Sequence, residues 1–378
     1  MLHWERGTVV TNLPAWSGVV RCEVQLEGGE RVPALAYPEL TGAPSPGEVV
    51  LLNTNALRRG LGTGGQAFVV ARPDAVDAAS ASAGAAQPDP AGHMVKARYT
   101  PMQTVLDAID DPASPHHALL QDAEDLGGMP VVVTDLHSAL PAVVAGIRET
   151  DPDARIVHVH TDAAALPAAF SRTAAELRER ELVQGVISCG QAFGGEHEAV
   201  TVHSALLGAR HVLDADVVIA VQGPGTLGSG TPWGFSGLQL VESLHAAHVL
   251  GGTVVAALRV SEGDARERHH GLSHHASTTL GRAALAPALL PLLSPADPEY
   301  SAFHASVSEQ VDSMIIDRAR MRGVEHRSVE VPGDGLRAAL ERMPVRLSTM
   351  GRSLAEDPAA FLFGALAGRA AAQRITRG

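Results

Sequence analysis

Between Gly7 and Ala71 short apolar runs alternate with turn residues, and no helical period intervenes. Gly7–Val10, Val19–Leu26, Arg31–Tyr37, Glu48–Asn53 and Ala67–Ala71 read as strands, with Gly28-Gly29 and Pro46-Gly47 as turns. Strand following strand predicts a small barrel or sandwich. Gly60 to Gly65 (GLGTGG) lies between two of these strands and reads as a flexible hairpin loop. Asp74 to Gly92 is dominated by Ala, Ser, Pro and Asp, too little apolar surface to order itself, and is expected to be a mobile insertion. Met94 to Tyr99 resembles one more strand returning to the barrel.

Beyond Pro101 the rhythm changes. Pro130–Thr134, Arg155–His160, Gly185–Cys189, Asp216–Val221 and Thr253–Val260 are Val- and Ile-rich runs of the kind that parallel strands bury on both faces. Helical patterns separate them. Ala199, Val202, Leu206, Ala209 and Leu213 follow spacings of three, four, three and four, one apolar helix face. A sixth strand is expected at Glu325–Val331 after a helix from about Glu299 to Arg322, and a helical tail at Asp357–Arg374. The predicted class is therefore α/β: a Rossmann-like, mostly parallel sheet over residues 101–378, preceded by a smaller all-β, barrel-like domain over 1–100.

A formal net charge of −13 and only 3% aromatic residues disfavour a nucleic-acid surface. The longest apolar stretch, Ala283 to Leu293, is interrupted by Pro287 and Pro291 and is too short for a bilayer, so no membrane partner is expected. No export signal is visible, and Cys22 and Cys189 make no disulfide framework, which points to a reducing, cytoplasmic setting. Lys96 is the sole lysine, so a Walker-type phosphate loop is excluded and a lysine-bound pyridoxal cofactor is disfavoured. No cofactor can be named from the residues. A homodimer is expected only because twofold assemblies are common.

In an open parallel sheet ligands bind beyond the carboxyl ends of the strands. Polar residues and glycines cluster after all five runs: Asp135 to Ser138, Thr161-Asp162, Gly190 to Glu196, Gly223 to Thr231, and Ser261 to Asp264. The fourth loop is the sharpest. Gly223-Pro224-Gly225-Thr226-Leu227-Gly228 matches G-x-G-x-x-G, whose bare amides can approach an anion, and Ser229, Gly230 and Thr231 extend it. Six residues, Ser229 to Gly234, separate it from the next helix, and only Glu242 could serve as the acidic partner, so a nicotinamide site fits poorly. In the third loop Gly194 and Gly195 are further candidate ligand contacts. Cys189 there is either a nucleophile or a small core residue, and Glu196, His197 and Glu198 are expected to open a helix.

After the fifth run come Arg266, Arg268, His269, His270, Ser273, His274 and His275. Ser273 is the expected N-cap of a helix starting at His274. Adjacent histidines on a helix should point apart, and no zinc spacing is present, so no metal ligands are assigned.

Several stretches resemble a bacterial family, the domain of unknown function DUF3866. They are Leu136 to Pro141, Gly190 to Val200, Gly223 to Thr231, Gly234 to Gly237 and Gly271 to His275, with Pro46–Asn53 and Gly62–Phe68 matching its N-terminal part. The resemblance implies the same choice of loops and lends no catalytic role to any residue. The insertion at Asp74–Gly92 is where departure from relatives is expected.

The leading expectation is an enzyme of hydrolysis or group transfer acting on a phosphorylated or nucleotide-like small anion. Gly194, Gly195, Gly223, Gly225, Gly228, Ser229, Gly230, Thr231 and Arg266 or Arg268 would bind it, and Asp135, His137 and His274 would move protons. The alternatives are a non-catalytic sensor or assembly protein and a metal-dependent hydrolase.

Overall fold

A computed structural model describes residues 3–60, 64–75, 92, 94–100, 102–163 and 166–376. Most of the expected insertion at Asp74–Gly92, and residues 61–63 of the GLGTGG stretch, lie outside the described residues. The chain divides into Met1–Ala91 and Gly92–Gly378.

In the first unit β1 (Trp4–Leu13), β2 (Val20–Leu26), β3 (Arg31–Ala36), β4 (Val49–Asn53) and β5 (Ala67–Ala71) close a barrel in the order β1-β2-β3-β5-β4. Alternation along the strands sends Val9, Val24, Val32, Val50, Leu52 and Val69 into one core. Closure requires β3 and β5 to pair in parallel, through Ala34–Ala67 and Leu35–Phe68.

The strand expected to return to this barrel does not do so. β6 (Met94–Lys96) pairs with β7 (Thr104–Leu106) in a separate hairpin within the second unit. Lys96 decides the matter, because its ammonium is bound inside that unit.

The second unit is built on eight parallel strands: β8 (Pro130–Thr134), β9 (Ile156–Thr161), β10 (Gly185–Cys189), β11 (His197–Ala199), β12 (Val217–Gln222), β13 (Thr253–Ala256), β16 (Leu289–Leu293) and β17 (Arg327–Val331). Their order is β11-β10-β9-β12-β8-β13-β16-β17. Two short hairpins complete the strands: β14 (Val260–Ser261) with β15 (Gly271–Leu272), and β18 (Ser348–Thr349) with β19 (Arg352–Ser353). From β8 the chain builds outward to β11, returns through β12, and then builds the other way from β13. The reversal places the loops after β8, β12 and β13 side by side, where ligands sit in doubly wound sheets.

Two expectations need correction. Glu196–Glu198 does not open a helix; His197–Ala199 is the edge strand β11, and the helix α3 (Val202–His211) starts only after the Thr201 cap. The apolar run at Thr253–Val260 is not one strand, since it leaves the sheet after Ala256 and re-forms as β14. Leu289–Leu293, for which the sequence pattern gave no element, is also a strand: its ladder to β13 consists of the single pair Val255–Leu289, so Pro291 lies beyond it.

Helices cover both faces of the sheet, among them α1 (Leu140–Thr150), α2 (Arg172–Glu179), α3, α4 (Leu240–Val249), α5 (His274–Thr278), α6 (Ala302–Val311) and α7 (Pro358–Ala372). The alanine-rich tail α7 is almost wholly buried. It packs on α1 through glycines. A Cβ on Gly368 would overlap the Val143 carbonyl oxygen, and one on Gly146 would overlap that of Ala365. At an exposed helical site Gly→Ala stabilises by up to about 1 kcal/mol. Gly368→Ala is expected to do the reverse, destabilising by about 1–3 kcal/mol through overpacking. Urea unfolding of the variant checks this, and a gain in stability would refute the packing account.

Candidate functional site

The third and fourth glycine loops share a composition and do different work. The third, residues 190–196, joins β10 to β11, which are parallel neighbours (Ile187 pairs with His197). Parallel neighbours usually need a dozen or more connecting residues. Seven suffice here because Gly190 and Gly194 take φ of +68° and +84°, and Gly195 lies against the backbone of Val186 and Ser188. Its polar groups are turned inward. The Gly194 N–H donates to Glu198, the Gly195 N–H to Ser188 Oγ at 2.9 Å, and the Ala192 N–H to Asp162 at 3.1 Å. Lys96, fully buried, donates to the carbonyls of Gly190 and Ala192 (2.8 Å) and lies 3.3 Å from Glu198. The sole lysine thus clamps this turn from within, and the amides of Gly194 and Gly195 are already taken. Cys189 is a core residue, its thiol pushed up to about 12 by burial, which argues against the nucleophile reading.

The fourth loop turns back on itself. Gly228 and Phe235 form an antiparallel bridge, closed by Ser229 N–H to Gly234 O (2.7 Å) and Ser236 N–H to Leu227 O (2.9 Å). The flanking pairs carry these bonds, so the Gly228 amide points away from the bridge. Ser229 is absorbed internally, its hydroxyl 3.1 Å from that of Thr231. Gly223 packs over His160, which a Cβ would meet at 2.9 Å, and Gly225 (φ +100°) makes the turn. At the tip Trp233 lies under the Arg282 guanidinium, 4.6 Å away. Gln222, at the end of β12, joins the loops by donating to Asp135 O (2.9 Å) and accepting from Ser236 Oγ (3.0 Å).

In front of this loop lies a cavity of about 200 Å³. Gly228, Gly230 and Thr231 form one wall; Arg259, Arg266 and Arg268 line it with His269, His274 and His275. Arg266 is bound bidentately to Asp264 (2.9 and 2.7 Å). Arg268 has no carboxylate partner among the described residues; its Nε lies 3.4 Å from His269 Nε2.

The histidines converge because β14 and β15 fold the chain back, pairing the Ser273 N–H with Arg259 O at 2.9 Å. Ser273 caps α5 as expected, accepting from the His275 N–H, and its hydroxyl is 2.7 Å from His269 Nδ1. The expectation that His274 and His275 diverge is overturned: their ring centroids stand 4.4 Å apart, and 4.9 and 5.1 Å from His269. They occupy the first turn of a five-residue helix, where no preceding turn restricts the side chains. Phe235 stacks on His275 with ring centroids 3.8 Å apart and ring planes nearly parallel. Burial, followed by the nearby arginines, pushes His269 down to about 3; burial, then His275, Arg268 and Arg259, takes His274 down to about 4.

Asp135 anchors this group from the end of β8. Its Oδ2 lies 3.3 Å from His275 Nδ1 and 3.5 Å from Arg259 Nη1, and Arg259 Nη1 stands 2.8 Å from that same Nδ1. Burial would raise its pKa, but the His275 hydrogen bond and the Arg259 charge outweigh that and hold it below the usual carboxylate range. Asp135 therefore positions the cluster.

His137 does not line the cavity. It is buried, with Nδ1 3.0 Å from Gln222 O and Nε2 against Ser171 Oγ. It belongs to a second trio with His158 and His160, rings 5.6–6.4 Å apart. Of the expected contacts, the structure gathers Gly228, Gly230, Thr231, Arg266 and His274 around one space, with Asp135 behind them. Gly194, Gly195, Gly223, Gly225, Ser229 and His137 serve the framework. Arg259 was overlooked, although an arginine inside an otherwise apolar run was a signal that a buried partner awaited it.

Two outcomes test these assignments. Lys96→Met leaves Glu198 buried without its cation and is expected to cost about 3–5 kcal/mol; Lys96→Met/Glu198→Gln should recover part of it in chemical denaturation. Burial holds His137 at about 4, His158 at about 3 and His160 well below its ordinary value. The unfolded chain takes up protons below about pH 6.5 while these folded sites do not, so stability falls as pH drops from about 6.5 to 4. Each contributes up to about 1.4 kcal/mol per pH unit. His158→Leu should flatten the slope of unfolding free energy against pH, and an unchanged slope would contradict the account.

The described part of the chain has no helix long and apolar enough to cross a membrane. No curated protein and no solved structure matches the chain. The family described as Protein of unknown function (DUF3866) matches residues 33–368, nearly the whole length, and the chain belongs to that family.

Proposed function

We propose that this protein is an enzyme that binds a small phosphorylated or nucleotide-like molecule by its anionic group and catalyses hydrolysis or group transfer. The observation that carries the reading is the cavity itself, where Gly228, Gly230 and Thr231 of the glycine loop stand with three arginines and three histidines around one space. Amides and guanidinium groups are the donors that oxyanions select. At about 200 Å³ the space is below the roughly 300–1,000 Å³ of drug-sized ligand sites. It suits a phosphate-sized head group, with the remainder of the ligand outside, better than an enclosed dinucleotide.

His274 is the proton acceptor in this reading. It is neutral at pH 7, and the charge of a bound anion raises its pKa toward the working range. Arg268, with no carboxylate partner among the described residues, supplies the main charge, while Arg259 and Arg266 shape the wall.

Calorimetric titration of the full chain with inorganic phosphate tests the binding half. Saturable binding is expected, weakened about tenfold or more by Arg268→Ala. Assays on small phosphoesters should then show turnover that His274→Gln removes while phosphate binding persists. Absence of saturable phosphate binding by the unaltered protein would end the proposal.

A further inference from the structure

We propose that His269, His274 and His275 form a binding site for one divalent transition-metal ion of the zinc class, on the wall of the same cavity. The site stands on the histidines alone; its link to an anionic ligand rests on the function proposed above, and in the metal-bound state His274 is a ligand and no longer the proton acceptor.

Each of the three rings offers a nitrogen, and these three atoms lie within 4.8 Å of one another. On a tetrahedral zinc ion, with bonds of about 2.0 Å, ligand nitrogens stand about 3.3 Å apart. The rings therefore need to close by about 1.5 Å at most. His274 can move, since it is only partly buried and neither of its ring nitrogens has a hydrogen-bond partner among the described residues.

With Nε2 as the ligand atom, the other two rings are already held as metal-bound histidines usually are, through the opposite nitrogen. His269 Nδ1 is 2.7 Å from Ser273 Oγ, and His275 Nδ1 is 3.3 Å from the buried Asp135 carboxylate. A proton on His275 Nδ1, donated to Asp135, leaves Nε2 bare for the ion. Arg259, now on that Nδ1 at 2.8 Å, keeps Asp135 as its partner. Arg268 must then release His269 Nε2 and turn toward the cavity.

Three neutral imidazoles leave the charge of the ion uncompensated, and the nearby arginines add to it. Asp135 offsets one charge only. The glycine loop lines the same cavity as the three histidines, so an oxyanion bound there would complete both the coordination and the charge balance. Metal and anion should therefore strengthen each other's binding reciprocally.

The test is titration of the full, chelator-stripped chain with Co²⁺, followed by its visible absorption bands, with and without inorganic phosphate. One Co²⁺ per chain with tetrahedral-type bands is expected. His269→Ala and His274→Ala should each lower affinity by more than about a hundredfold, beyond the effect of losing an outer-shell partner. His270→Ala should leave it unchanged. Should His269→Ala fail to fold, as judged by circular dichroism, the partly exposed His274→Ala decides alone. No stoichiometric Co²⁺ in the unaltered protein, or undiminished binding in His274→Ala, overturns the proposal. Failure of the anion reading shows differently: the bands form, and phosphate leaves Co²⁺ affinity unmoved.

Discussion

The Asp135 carboxylate, buried at the end of β8, is the constraint on which the cavity depends. It is ionised in a place where burial alone would neutralise it, so its charge must be met by specific partners. Arg259 and the His275 ring meet it. Each comes from the segment after β13, and each is thereby drawn onto the switch point of the sheet. Gly237 lies so close to Asp135 that a Cβ there would stand 2.8 Å from the Asp135 Cβ. The loop after β12 is thus brought against the same carboxylate. Three loops distant in sequence acquire one geometry from one desolvated charge.

The two glycine loops show why composition alone does not identify a ligand site. Backbone amides are available to a guest only if the protein has no use for them. In the turn between β10 and β11, Ser188, Asp162 and Glu198 accept from the amides while Lys96 donates to the carbonyls, and the turn is self-contained. In the loop after β12 the hairpin bonds fall on Leu227, Ser229, Gly234 and Ser236, leaving Gly228 and Gly230 on the cavity wall. The difference lies in where the neighbouring side chains end, which local sequence does not encode.

The two histidine clusters divide in the same way. His158 and His160 stand on β9 and His137 in the turn after β8, within the framework and held neutral by burial. His269, His274 and His275 border open space and are supported by hydroxyl, carboxylate and guanidinium groups. Burial disfavours added protons on the first trio and on His269 and His274, and the second cluster has room for a guest beside it.

Much of the architecture was legible in the residue pattern because burial writes a period into the chain. The Val-rich runs marked β8, β10 and β12 within a residue or so, the polar caps marked α5, and alternation with turns marked the barrel. Where local preference and tertiary demand disagreed, the pattern misled: Leu289–Leu293 carries a proline yet is a strand, and His197–Ala199 has an acidic helix-start appearance yet pairs with β10. Five residues of the expected site do line the cavity, because strand-end loops in a parallel sheet must meet there. Which amides stay free, why His274 and His275 converge, and that Arg259 belongs with Asp135 were decided only in three dimensions. Those outcomes depend on hydrogen bonds and desolvated charges between residues up to 140 positions apart, as for His275 and Asp135, and no local period records such pairings.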